Sequence, residues 1–245
     1  MDASGVDRRY GVIEIGPGIG VLTRELAKRA AKVVSIEVDE RLPPLLAETM
    51  AGVDNFKLIL QDVLKVDLKA LIAEEFPGMP VAVCANLPYY ITSPVIMKLL
   101  EDRLPITSIT VMVQKEAAER LCAQPGTREC GAVSAAVQYY AEPEILFEVS
   151  RGSFMPAPNV DSAVIQLRIR KEPPVDVHDE ALFFRVIRAA FAQRRKTAVN
   201  SISNTLHMSK QQVTDAFEQA GVRANSRAEA LTLPEFAAVV NQLAD

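Results

Sequence analysis

Val12-Ile13-Glu14-Ile15 is an apolar run with a single carboxylate, and it leads directly into Gly16-Pro17-Gly18-Ile19-Gly20. An amphipathic pattern follows through about Arg29. A buried strand turning through glycines into a helix is the opening of a parallel βα unit. Glycines let the backbone turn sharply there and let a ligand approach the main chain. The alternation then repeats. Strands are predicted at 32–37, 56–60, 81–85 and 108–114, and helices at 68–76, 115–123 and 132–141. Pro43-Pro44 suits the first turn of another helix, and Ser93-Pro94 reads as N-cap and first residue of a further one. Two late strands, near 144–149 and 162–170, have only a loop between them and are expected as an antiparallel addition at the sheet's end. The fold class is α/β: a mostly parallel sheet with helices on both faces.

After Lys171-Glu172-Pro173-Pro174 the pattern is helical only, with candidates at 180–193, 196–206, from Ser209 and from about Thr232. Ser209…Gln212 and Thr232…Glu235 are capping boxes. A boundary near 172 therefore divides a domain over 1–172 from a small all-α domain over 173–245. The net charge of −4 hides an asymmetry between these ends. Residues 1–150 hold 15 basic and 21 acidic side chains, whereas 151–245 hold 12 and 10. A polyanionic partner is to be sought at the second end. No apolar run reaches the ~18 residues of a membrane span, so no membrane partner is expected. Met1–Gly5 has no basic-then-apolar leader pattern. Cys84, Cys122 and Cys130 form no CxxC pair, and His178 and His207 lie far apart. These features argue against a disulfide framework and a metal site, and for a reducing, cytoplasmic setting.

Glu37 ends the second strand and Asp62 the third. Both fall at the carboxyl edge of a parallel sheet, where open α/β sheets bind ligands. Glu37 can accept hydrogen bonds from ribose hydroxyls, and Asp62 can face an adenine amino group. The loop spacing is GxGxG, not the GxGxxG pyrophosphate fingerprint. By itself the loop also reads as a tight turn that binds nothing. With its acidic partners it forms an anionic cradle without a phosphate-binding lysine. That suits a cationic nucleoside such as S-adenosylmethionine better than NAD or ATP.

Asn86-Leu87-Pro88-Tyr89 follows the fourth strand. The exocyclic amino group of adenine is a poor nucleophile because its lone pair is delocalised into the ring. Acceptors for its N–H groups help to localise that lone pair. The Asn86 oxygen and a backbone carbonyl near Leu87–Pro88 can serve, since proline fixes the local chain and helps to aim the carbonyl. Tyr89 can stack on a base extruded from its helix. The implied step is an in-line displacement at a sulfonium methyl, with positioning carrying most of the rate.

At this point the chain closely resembles the ribosomal RNA small-subunit adenine dimethyltransferases, the KsgA/RsmA family. The resemblance rests on Glu14–Gly20, Glu37-Val38-Asp39, Gln61-Asp62-Val63, Asn86–Pro94, Phe154–Ser162 and Phe191–Lys196. It implies a Rossmann-like class I methyltransferase domain that uses S-adenosylmethionine and no metal. It also implies transfer of methyl groups to N6 of two adjacent adenosines near the 3′ end of 16S rRNA in the small ribosomal subunit, by a monomer. By motif, Glu14, Gly16, Gly18, Gly20, Glu37, Asp62, Val63 and Asn86 would contact the methyl donor. Asn86, Leu87, Pro88 and Tyr89 would frame the target adenine, with Phe154 against its other face. The family's Gly-Gln-Asn-Phe-Leu segment, which helps to close the pocket, is absent from Met1–Gly11, so a shortened N-terminus is expected.

Arg185, Arg188, Arg194, Arg195 and Lys196 are the expected phosphate contacts, which carry affinity but no base information. A solvated helix face is the plainer alternative for them. Two other functions compete: a 23S rRNA adenine dimethyltransferase of the macrolide-resistance type, and a non-catalytic ribosome-assembly factor. Leu87, the Tyr90–Pro94 continuation and Phe191–Lys196 favour the small subunit. Cys84 is expected in the core, and Tyr139 and Tyr140 in helix packing.

Overall fold

The computed structural model describes residues 4–155 and 157–244. The chain forms two compact units, Met1–Ala118 with Glu142–Ile169, and Glu119–Ala141 with Arg170–Asp245.

The first unit is built on a sheet of β1 (Gly11–Ile15), β2 (Lys32–Glu37), β3 (Phe56–Leu60), β4 (Val81–Asn86), β5 (Ser108–Gln114), β6 (Ala141–Val149) and β7 (Ser162–Ile169). The strand order is β3-β2-β1-β4-β5-β7-β6. β1 to β5 pair in parallel, and β7 runs antiparallel to β5. The central β1 is buried along its whole length, which is why it reads as one apolar run.

The register sorts the faces. Val12, Val33, Ala82 and Cys84 pack with Leu26 and Ala27 of α1 (Val21–Arg29) and Leu46 of α2 (Leu42–Thr49). One residue out of phase, Gly11 backs onto Phe76 at the end of α3 (Leu68–Glu75). A Cβ on Gly11 would lie 2.2 Å from that ring, so glycine is what lets Phe76 approach the strand so closely. Helices therefore cover both faces, as the alternation predicts.

Three local expectations change. α4 (Thr92–Glu101) begins before Ser93, with Ile91 at its cap position. The Pro88 carbonyl accepts the Ile91 N–H at 3.1 Å and the Thr92 hydroxyl at 3.3 Å, so the chain is already wound when it reaches Ser93. After β5 come α5 (Lys115–Cys122) and α6 (Ala132–Tyr140), and β6 begins at Ala141, directly after α6, and not at 144. The segment 119–141, expected within the first domain, belongs to the helical unit.

The cause of that grouping is aromatic packing between α6 and α7 (Glu180–Phe191). Tyr139 is buried with its ring 5.3 Å from Phe183 and 5.0 Å from Phe184, and Tyr140 stacks on Phe184 at 5.2 Å. The Tyr139 hydroxyl donates to Glu180 at 2.9 Å. Burying such rings outweighs their nearness in sequence to the strand that follows. α8 (Ala198–Leu206) is capped by Thr197, and α9 (Lys210–Gln219) by Ser209, whose oxygen accepts the Gln212 N–H. Thr232 and Glu235 form a reciprocal box at the start of α10 (Leu233–Ala244). Among the described residues no helix is long and apolar enough to cross a membrane.

Candidate active site

The carboxyl ends of β3, β2, β1 and β4 lie side by side, and they carry Asp62, Glu37, Gly16 and Asn86 in that spatial order. The glycine turn is fixed by main-chain bonds: the Gly16 N–H donates to the Ile36 carbonyl at 2.9 Å and the Gly20 N–H to the Pro17 carbonyl at 3.0 Å. Gly20 sits at φ +88° with Thr49 Oγ1 only 3.0 Å from where a Cβ would stand, so both conformation and packing exclude a side chain. Gly16, at φ +68°, has open space on its Cβ side. α1 starts without a side-chain cap and without an acid in its first turn, leaving its N–H groups for solvent or a ligand.

Each acid has its own setting. Glu14 is 1% exposed, and its Oε2 accepts the hydroxyls of Thr23 at 2.7 Å and Ser35 at 2.6 Å. Burial pushes its pKa above the ordinary glutamate range, against the pull of those two bonds. It lies beneath the turn, not in its mouth. Glu37 accepts the N–H groups of Val38 and Asp39 on Oε1, at 2.8 and 2.9 Å, which holds the carboxylate at the end of its strand. Asp62 caps the short 3-10 turn Val63–Lys65 by accepting the Leu64 N–H at 3.0 Å, and Val63 is buried behind it.

Asn86 is exposed at the tip of β4, whereas Leu87 is buried and donates its N–H to the Met112 carbonyl at 3.2 Å. The Pro88 carbonyl is occupied by Ile91 and Thr92, so it is not the free acceptor of this turn. Tyr89 is 40% exposed, with its hydroxyl 3.2 Å from Ser162 Oγ. Phe154 follows the 3-10 turn Arg151–Ser153 and is half-buried.

A cavity of about 690 Å³ opens beside this edge, on the face that α1 shares. Gly16, Gly18 and Asn86 line it together with Thr110, Met112 and Phe147. Glu37, Asp62, Tyr89 and Phe154 do not line it. Thr110, Met112 and Phe147 escaped the sequence reading. Their only signal was strand alternation, and alternation does not say which strands end up as neighbours. Cys84 also lines the cavity, and burial pushes its thiol up to about 12, so it is no nucleophile at neutral pH.

The five basic residues lie in the helical unit and are all exposed. Arg185 and Arg188 stand one turn apart on α7, and Arg194, Arg195 and Lys196 fill the link to α8.

A model of the ribosomal RNA adenine dimethylase family matches residues 1–245. The chain is 53% identical over 247 residues to "Ribosomal RNA small subunit methyltransferase A" of Geobacillus thermodenitrificans, covering 99% of this chain and 84% of that one. Among solved structures it is similar to the 23S rRNA methyltransferase ErmE, at 27% identity and TM-score 0.73, covering 100% of this chain and 95% of ErmE. A dimethyladenosine transferase from Plasmodium falciparum shares the fold at 24% identity and TM-score 0.77, covering 97% and 91%. On the family match and the identity across nearly its whole length, this chain belongs to the ribosomal RNA adenine dimethylase family.

Proposed function

We propose that the chain transfers methyl groups from S-adenosylmethionine to N6 of two adjacent adenosines near the 3′ end of 16S rRNA, in the small ribosomal subunit. The observation that carries the reading is the single sheet edge on which the glycine turn, Glu37, Asp62 and Asn86–Tyr89 follow one another. The residues there fit the donor. Gly16 leaves open space for a close approach to the main chain, and the carboxylates of Glu37 and Asp62 at neighbouring strand ends are acceptors of the kind that a ribose and an adenine amino group need.

Bound S-adenosylmethionine supplies an electrophilic methyl on a sulfonium. Gly16, Gly18, Gly20 and Asn86 border the methionine end, over the Glu14-braced turn. Glu37 accepts from the ribose hydroxyls, and Asp62 with Val63 borders the adenine. The Asn86 side-chain oxygen and the Leu87 carbonyl accept the two N–H groups of the target amine. Leu87 is the better backbone candidate, because the Pro88 carbonyl is already doubly occupied. Pro88 stiffens the turn. Tyr89 and Phe154 grip the extruded base between them. The methylated ammonium loses its proton to water, so no strong base is needed. Arg185, Arg188 and Arg194–Lys196, in the helical region 173–245, hold phosphates. The protein acts as a monomer in the cytoplasm, where its substrate assembles.

The identity of 53% to a small-subunit methyltransferase against 27% to a 23S enzyme supports the small subunit as the address. The test is transfer of labelled methyl to small subunits purified from a strain lacking the modification, with naked 23S rRNA alongside. Dimethyladenosine in 16S rRNA is expected. Label in 23S rRNA alone overturns the address, and no label in either RNA, while a Geobacillus relative labels the small subunits, overturns the activity.

A further inference from the structure

Asp161 and Ser162 lie where the loop carrying Phe154 re-enters the sheet at the start of β7. We infer that this dipeptide positions both aromatic walls of the adenine slot, one residue for each wall. The inference rests on the reaction proposed above and extends it to residues that touch neither donor nor base.

Ser162 holds the Tyr89 wall. It is 1% exposed and registers against Gln114 of β5, so its hydroxyl stands at a buried, paired strand position. That hydroxyl is 3.2 Å from the Tyr89 oxygen. Tyr89 is substantially exposed, and this is the hydrogen bond that anchors its phenol among the described residues. An aromatic side chain with one wet side and no anchor swings about its first two torsions. A hydrogen bond at the far end of the ring fixes its tilt.

Asp161 holds the Phe154 wall. Its backbone carbonyl accepts the Lys115 N–H at 3.0 Å, which ties it to the end of β5. Its Oδ1 accepts the Arg151 N–H at 2.9 Å. Arg151 opens the 3-10 turn, and its carbonyl accepts the Phe154 N–H at 3.3 Å. The path from Asp161 to Phe154 therefore runs through two hydrogen bonds and one short turn. The Arg151 guanidinium reaches the Asn159 carbonyl at 3.4 Å and closes the same loop.

The two anchors are adjacent in sequence, so one peptide unit sets their separation, about 3.8 Å between Cα atoms. A slot that grips a flat ring needs that rigidity. Widening it by even ~0.5–1 Å forfeits a quarter to a half of the dispersion contact on one face. Asp161 and Ser162 are thus positioning residues, and they suit the slot to a planar base.

The test uses Ser162→Ala, Asp161→Ala, Asp161→Asn, Tyr89→Phe and the Ser162→Ala/Tyr89→Phe double variant. The readouts are kcat and KM on small subunits, methyl-donor affinity by calorimetry, and ¹⁹F NMR of protein carrying fluorotyrosine. The chain has 5 tyrosines, and Tyr89→Phe identifies the Tyr89 signal. Ser162→Ala and Asp161→Ala are each expected to lower kcat by about three- to tenfold, the worth of one net hydrogen bond. Donor affinity should hold in both variants. Asp161→Asn keeps an acceptor oxygen and should recover most of the loss. In the Tyr89→Phe background, Ser162→Ala should cost nothing more. Additive losses in the double variant overturn the Ser162 assignment, and equal losses in Asp161→Asn and Asp161→Ala overturn that of Asp161. A Tyr89 fluorine signal unmoved by Ser162→Ala overturns the inference even in a protein that transfers no methyl. An inactive wild type whose signal does move counts against the proposed reaction and supports the anchoring.

Discussion

Glu14 and Ser35 meet on neighbouring strands, the Ser35 hydroxyl donating to the Glu14 carboxylate at 2.6 Å. Thr23, in the first turn of α1, donates to the same oxygen at 2.7 Å. One carboxylate thus joins β1, β2 and α1 directly under the glycine turn. Its burial costs solvation that two neutral hydroxyls only partly restore. The arrangement bears on stability as well as on the site.

Glu14→Gln keeps an oxygen that can accept both hydroxyls and removes the charge. The folded-state pKa of Glu14 is raised, with burial the largest cause and Glu37 adding to it. For a raised carboxyl the folded state favours the protonated form. The stabilising contribution is therefore full below the ordinary glutamate value near 4.5 and is lost as pH rises through the folded pKa. Glu75 works in the opposite sense: hydrogen bonds from Lys32 and Lys57 lower its pKa, so its contribution fades as pH falls. Glu75 is common to both proteins and cancels in the difference. Thermal melts should give Glu14→Gln the higher Tm at pH 8, with the gap closing toward pH 4. A constant gap across that range would remove the charge as its cause.

Glu37→Ala should weaken S-adenosylmethionine by about 10- to 100-fold, since hydrogen bonds to a charged group are worth ~1.5–3 kcal/mol each. Asp62→Ala should act in the same direction but also uncap the turn Val63–Lys65. Titration calorimetry checks both variants. Wild-type affinity in Glu37→Ala would take the ribose away from that carboxylate.

Asn86→Ala should lower kcat by about 10²–10³, the usual cost of removing one preorganised polar group at a reacting centre. Tyr89→Ala should lose ~1–3 kcal/mol of base stacking. Single-turnover methyl transfer separates the two variants. The asparagine change should persist at saturating RNA, while the tyrosine change should appear partly in KM.

Replacing Arg194, Arg195 and Lys196 together by alanine should leave donor binding intact. The slope of log affinity for small-subunit rRNA against log salt should fall by roughly 2 to 3, at about 0.7–0.9 per lost phosphate contact. Filter binding across a salt series measures the slope. An unchanged slope would mark these cations as a solvated helix end.

The positions of β1 to β5 along the chain, the glycine turn and the placing of Glu37, Asp62 and Asn86 at strand ends were legible from sequence, because each is a local pattern. So was the change to helices after Pro174. The start of α4 was not, because the Pro88 carbonyl had already wound the chain through Ile91 and Thr92. The membership of 119–141 was not, because Tyr139 and Tyr140 bury themselves on Phe183 and Phe184, some forty residues on.

What the sequence by itself determined was the set of groups at one sheet edge: a glycine loop that turns through positive φ, acids at strand ends, and an Asn-Leu-Pro-Tyr turn beside them. Residue type and spacing along the chain suffice there, because the period of two within strands and the βα alternation carry the side chains to one sheet edge. Only the tertiary structure decided how each group is held. It placed Glu14 under the turn between Thr23 and Ser35, occupied the Pro88 carbonyl, and set Ser162 against Tyr89 across seventy-three positions. Such contacts depend on which strands become neighbours and in what register, and burial of the whole core selects that pairing.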